Sequence, residues 1–160
     1  MALKVKKVAF KLPFEIGMVE WEVDKTQRLA AWSLYIELVT RIAIQPIDPN
    51  EGLAREALNS LYSIFGSTRE ILKAAGPDAG ISKASIGGIA IRVLNNGLRP
   101  FLSKWHPKLL IWEAGRDPAT SAKEHELKWP EEKLLRSELE NLRSELAEYA
   151  DALAKIAGVN

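Results

Sequence analysis

Three groups of residues in the 160-residue chain have types and spacings that could do chemistry. Arg92, Asn96, Arg99, Ser103 and His106 recur every three or four positions, so on a helix they share one side. Two guanidinium forks and an imidazole placed that way could hold a phosphate or a carboxylate. The same stripe also describes the wet side of an amphipathic helix, and that plainer reading carries more weight. Glu37 and Arg41 interrupt a segment that is apolar nearly all round. Acid first and four apart, they suit an intrahelical pair; pointing inward, they would meet Arg69 and Glu70 of "STRE" in a polar network. The triplet Glu124–His125–Glu126 looks like a metal or acid-base cluster. Adjacent residues point in different directions, however, and zinc wants three or four protein ligands, so no metal is expected. The chain has no nucleophile elbow, no phosphate loop and no dinucleotide fingerprint. We therefore assign no catalytic residue, expect no cofactor, and read the protein as a non-enzyme.

The elements that must carry these residues follow from periodicity. Val8, Phe10, Leu12 and then Val19, Trp21, Val23 alternate with polar residues, with Pro13 and Gly17 between, which predicts an antiparallel hairpin within 1–23. Asp24 sits where an N-cap belongs, and the apolar positions after it predict a central helix over 24–46, ended by Pro46 and Pro49. A second helix is expected over 51–75, capped by Asp48 or Asn50 and stopped by Gly76 and Pro77.

Ser82 or Ser85 would cap a third helix over 83–113, whose apolar stripe is Ile86, Ala90, Val93, Gly97, Phe101, Trp105, Leu109 and Trp112. That stripe runs through Pro100 and Pro107, so the spacing predicts a bent helix that keeps its phase, with Trp105 in the core. Residues 114–129 lose the period and read as an exposed, mobile connection. Over 131–157 leucines alternate by four and three, and "LRSEL" occurs twice at a seven-residue offset, which predicts a helix packed at a shallow angle against other helices. The expected architecture is mainly α: a single domain, 1–160, formed by an antiparallel four-helix bundle with a small N-terminal β-hairpin.

Composition narrows the function classes. Lys plus Arg number 22 against 21 for Asp plus Glu, so no concentrated basic character points to nucleic acid. With no cysteine there is neither disulfide framework nor thiolate, which fits a cytoplasmic setting. Lysines interrupt the apolar runs of "MALKVKKVAFKLPF", so no signal peptide is expected, and Glu37 and Arg41 keep the most apolar window short of a membrane span. Phe14, Trp21, Trp112 and Trp129 are the aromatic residues placed to anchor a partner.

In "AAWSLYIELVTRIAIQPI", "LNSLYSIFGSTREILK" and "VLNNGLRPFLSKWHP" the chain resembles small helical accessory proteins encoded beside bacterial conflict or defence genes. The resemblance implies a bacterial cytoplasmic protein acting with other components, and it transfers no site residue. The leading expectation is a non-enzymatic module that binds a protein partner or forms a homo-oligomer. Two alternatives stand beside it: a membrane-perturbing effector that releases a helix, and a small-ligand receptor or enzyme with a polar pocket between helices.

Overall fold

The computed structural model describes residues 6–41, 45, 46, 48, 50–80 and 84–159, apart from the side chains of Lys6 and Trp21. The chain is mainly helical, with a small antiparallel sheet near its N-terminus. Strands β1 (Lys6–Leu12) and β2 (Gly17–Val23) pair in the register Val8↔Trp21 and Phe10↔Val19. Alternation then puts Phe10, Leu12 and Val23 into the core and leaves Lys7, Lys11, Glu20 and Glu22 in water. The turn between the strands holds Phe14 and Glu15 at φ 59° and 61°, the left-handed region that costs a side-chain-bearing residue energy.

Helix α1 (Lys25–Val39) starts as expected, with Asp24 Oδ1 accepting from the Gln27 N–H at 2.8 Å. It ends well before residue 46. The Thr40 N–H and hydroxyl both turn back to the Ile36 carbonyl, and the Arg41 N–H bonds Leu38, so the last carbonyls are satisfied by a tightened final turn. Residues 42–44 lie outside the described residues.

Helix α2 (Ala54–Ala75) stops at Gly76, φ 83°, with Pro77 behind it. Its start differs from the expectation. Leu53 is the N-cap residue and offers no side-chain oxygen, and neither Asp48 nor Asn50 reaches the first turn. The cap comes instead from Glu126, which accepts from the Ala54 N–H at 2.6 Å.

The expected third helix is continuous but contains a wide turn. It runs as α3 (Ile86–Arg92), a π-helical segment (Val93–Leu98) and α4 (Arg99–Ala114). Ser85 caps it through Gly88, whereas Ser82 lies outside the described residues. Pro107 sits inside α4 without breaking it, and Trp105 is completely buried. Gly97 is a close-approach position: a Cβ there would lie 2.7 Å from the Phe14 ring, so the hairpin turn seats itself on the π segment. Phe14 is therefore half-buried against its own chain and is no free partner anchor.

Residues 114–129 are more ordered than their polarity suggests. They contain helix α5 (Ala122–Leu127), capped by Ser121, and they end on Trp129, which is 6% exposed. Trp129 meets Trp105 edge to face at 5.9 Å, so it too belongs to the core and not to a docking surface. Helix α6 (Glu132–Ala157) buries its heptad positions Leu135, Leu139, Leu142, Leu146, Tyr149, Leu153 and Ile156. It packs on α1 and β1, and α1 in turn packs on α2. Burying each large apolar side chain contributes about 1.5–3 kcal/mol.

Two results are expected from urea denaturation. Trp105→Ala costs about 3–5 kcal/mol as a large-to-small core change, whereas Leu110→Ala, at a position 55% exposed, costs about 0.5 kcal/mol or less. Gly97→Ala overpacks the contact with Phe14 and costs about 1–3 kcal/mol. Most of that loss disappears in a Phe14→Ala background, which a double-mutant cycle reads directly.

Candidate functional site

Arg69 and Arg99, assigned to different groups by their spacing, come together in one groove. Helix α2 supplies one wall, with Phe65, Thr68, Arg69, Leu72 and Lys73; the other wall carries Ile91, Leu94 and Asn95 from α3 and the π segment, and Arg99 from α4. The groove is open and has a volume of about 530 Å³. No Asp or Glu is among the described residues lining it.

The π segment accounts for this convergence. A π turn takes one more residue than an α turn, so residues beyond it are out of phase with those before it by about one position. Arg92 and Arg99 would share a face on a regular helix; here Arg99 lies over the Phe65 ring at 5.2 Å, with its Nε donating to Asn95 Oδ1 at 3.1 Å. Arg92 is half-buried and does not line the groove. His106 is turned elsewhere: Arg55 Nη1 donates to its Nδ1 at 3.0 Å, and Tyr62 stands edge-on to its ring at 5.4 Å. The expected anion stripe of Arg92, Arg99 and His106 therefore does not assemble, and His106 is not the free surface residue of the plainer reading either.

Several other charged groups join elements to one another. Arg55 of α2 grips the Glu113 carboxylate of α4 through Nε, at 3.1 Å to both oxygens. Arg41 donates to Glu37, as its spacing predicts, and to Ser67 Oγ at 2.6 Å. Ser67 takes the place in that network expected for Arg69 and Glu70. Glu70 instead points to the α1 side of α2, beside Ile71 and Leu29, and makes only a loose 3.9 Å pair with Lys73. Lys104 and the Trp105 indole both donate to Glu138 of α6. The hydrogen bond from Lys104, with help from Trp105, holds the Glu138 carboxyl below its ordinary value against the opposing effect of partial burial. Glu145 moves the other way. Burial, then Glu148 and Glu15, raise it, opposed by a hydrogen bond from the Phe14 backbone that ties the hairpin turn to α6.

The Glu124–Glu126 triplet is structural. Glu124 is exposed. His125 stacks on Trp112 with ring centroids 4.6 Å apart, and each ring nitrogen bonds the other's backbone: Trp112 Nε1 to His125 O at 2.9 Å, and His125 Nε2 to Trp112 O at 2.6 Å. A carbonyl only accepts, so His125 Nε2 carries a proton. Trp112 is thereby committed to its own chain, and of the four expected partner anchors only Trp21 is left, its side chain outside the described residues. Glu126 is buried and pairs with Arg136 at 3.0 Å while capping α2; Arg136 also donates to the Glu51 and Gly52 carbonyls. Nothing in the spacing of Glu126 and Ala54 announces that contact. Among the described residues no group of three or more His, Asp or Glu could hold a metal ion.

No protein-family model matches the chain, and comparison with curated proteins and with solved structures finds no match. The site is therefore argued from its own geometry.

Removing the Glu126 carboxylate leaves the Ala54 N–H without its cap and takes from the half-buried Arg136 one of its two carboxylates, Glu132 being the other. Glu126→Ala is expected to cost about 1–3 kcal/mol in denaturant, chiefly for the uncapped, buried start of α2, against about 0.5 kcal/mol or less for Glu140→Ala in the exposed Arg143 pair.

Proposed function

We propose that the chain is a non-enzymatic protein-interaction module whose docking surface is the groove between α2 and α3–α4. In this reading the long helices form an antiparallel bundle that serves as a rigid frame, and the setting is the cytoplasm of a bacterium. One observation carries the reading. Arg55, Arg41, Lys104 and Arg136 are each matched by a carboxylate of the same chain, whereas Arg69 and Arg99 have no carboxylate partner among the described residues and border an exposed apolar floor. Two arginines without a carboxylate on the rims of an apolar floor of Phe65, Leu72 and Ile91 suit a ligand that supplies both apolar contact and negative charge. The small-ligand alternative would use the same groove. The membrane alternative finds less support, since no helix among the described residues is long and apolar enough to cross a membrane.

Light scattering of the purified chain, alone and mixed with the products of its neighbouring genes, tests the proposal. A shift in molar mass with one of them is expected, lost in Ile91→Asp inside the groove and kept in Leu110→Asp outside it. A mass unchanged by every candidate, or a complex indifferent to Ile91→Asp, refutes it.

A further inference from the structure

We infer that the occupant of the groove is an acidic amphipathic helix of about three turns, contributed by a different protein; this rests on the docking reading above. The wall on α2 runs from Phe65 to Gly76, about 16 Å at the rise of an α-helix, so the groove accepts a segment of about three turns. Its apolar floor is built by residues one or two helical turns apart, Phe65 and Leu72 on one side and Ile91 and Leu94 on the other. Gaps at that spacing receive side chains at i, i+3 or i+4, and i+7 of a helix laid along them. An extended segment would find no ladder to join, because both walls are helices whose backbone groups bond internally.

Charge decides which helix. Arg69 and Lys73, four apart, stand on the α2 rim and Arg99 on the opposite one, so carboxylates flanking the apolar stripe on both sides complete the contact. Arg99 is held ready for this, its guanidinium fixed over Phe65 and by Asn95. A second copy of the chain does not offer the complement. The exposed apolar stripe on α1, Leu29, Trp32 and Ile36, lies beside Lys25 and Arg28, and its one neighbouring acid, Glu37, is taken by Arg41; the exposed Leu110 and Ile111 on α4 are adjacent and form no stripe, and the heptad face of α6 is buried.

The test uses synthetic peptides of about 14 residues, labelled for fluorescence anisotropy, against the full chain in about 50 mM salt, where screening is weak. One peptide carries leucines at i, i+3 and i+7 with flanking Glu; a second replaces Glu by Gln; a third replaces Glu by Lys; a fourth scrambles the first. The acidic peptide is expected to bind about tenfold more tightly than its Gln and scrambled forms. Arg69→Glu combined with Lys73→Glu, both exposed positions, should invert the preference toward the Lys peptide. Arg99→Glu should weaken acidic binding with the circular dichroism unchanged. Equal binding of the acidic and scrambled peptides, or of the acidic and Gln peptides, overturns the inference. So does saturation of the groove by dodecanoate but by no peptide, which would make it a receptor for small amphiphiles. The two levels separate cleanly. If no peptide binds while the partner complex still fails with Ile91→Asp, the acidic helix is wrong and the docking reading stands; if the complex survives Ile91→Asp, the docking reading itself has failed.

Discussion

Pro100 imposes the constraint on which the rest of the arrangement depends. It has no N–H to give, and its ring presses on the carbonyl four residues back, so an uninterrupted α-helix through this point would be strained. The chain answers by widening the helix just before it. Over Val93–Leu98 the bonding turns π-helical, and the Arg99 N–H reaches the carbonyl of Leu94, five residues back. Three consequences follow from that single adjustment. The helix continues to Ala114, so Trp105 arrives in the core opposite Trp129. Gly97 presents a bare backbone on which the Phe14 ring can rest. Arg99 is displaced from the face of Arg92 and comes to lie over Phe65.

Charge is distributed in keeping with this frame. Ion pairs between α2 and α4, between α4 and α6, and between α5 and α6 hold the helices in register, and the side chains that make them are partly or wholly shielded from water. Each contributes modestly on its own, and the partly exposed ones least. Together they use up titratable groups that might otherwise gather in a cavity. The smaller cleft near Trp112, about 240 Å³, illustrates the point, since Arg55, Glu113, His125 and Glu126 in its walls are all committed to one another or to the backbone.

Much of the frame was legible in the sequence because burial imposes a period that can be read. The hairpin alternation, the Asp24 and Ser85 caps, the Gly76 stop and the heptads of the last helix all appear where their patterns put them. The π segment also had a signature. Val93, Gly97, Phe101, Trp105 and Leu109 follow at intervals of four, and in a regular α-helix each such step overshoots one face by about 40°. A run that long needs an extra residue taken up somewhere. The polarity of residues 114–129 misled because the signal for a loop is average composition, whereas Glu126 and Trp129 are buried through individual contacts with α2 and α4. The convergence of Arg69 and Arg99 was illegible for a related reason, since it depends on how two helices cross and not on the period of either.

The cap on α2 has a consequence for the order in which the fold can be completed. Its first turn lies near position 54, and the carboxylate that satisfies it lies 72 residues further along, beyond the whole of α3 and α4. During synthesis α2 therefore emerges with its opening N–H groups bonded only to water, and the residue that finishes it follows 72 positions later. Because Arg136 holds Glu126 in place and itself grips the backbone ahead of α2, the start of α2 and the start of α6 depend on the same two side chains. The opening of α2 is in that sense a draft until Glu126 and Arg136 arrive to complete it.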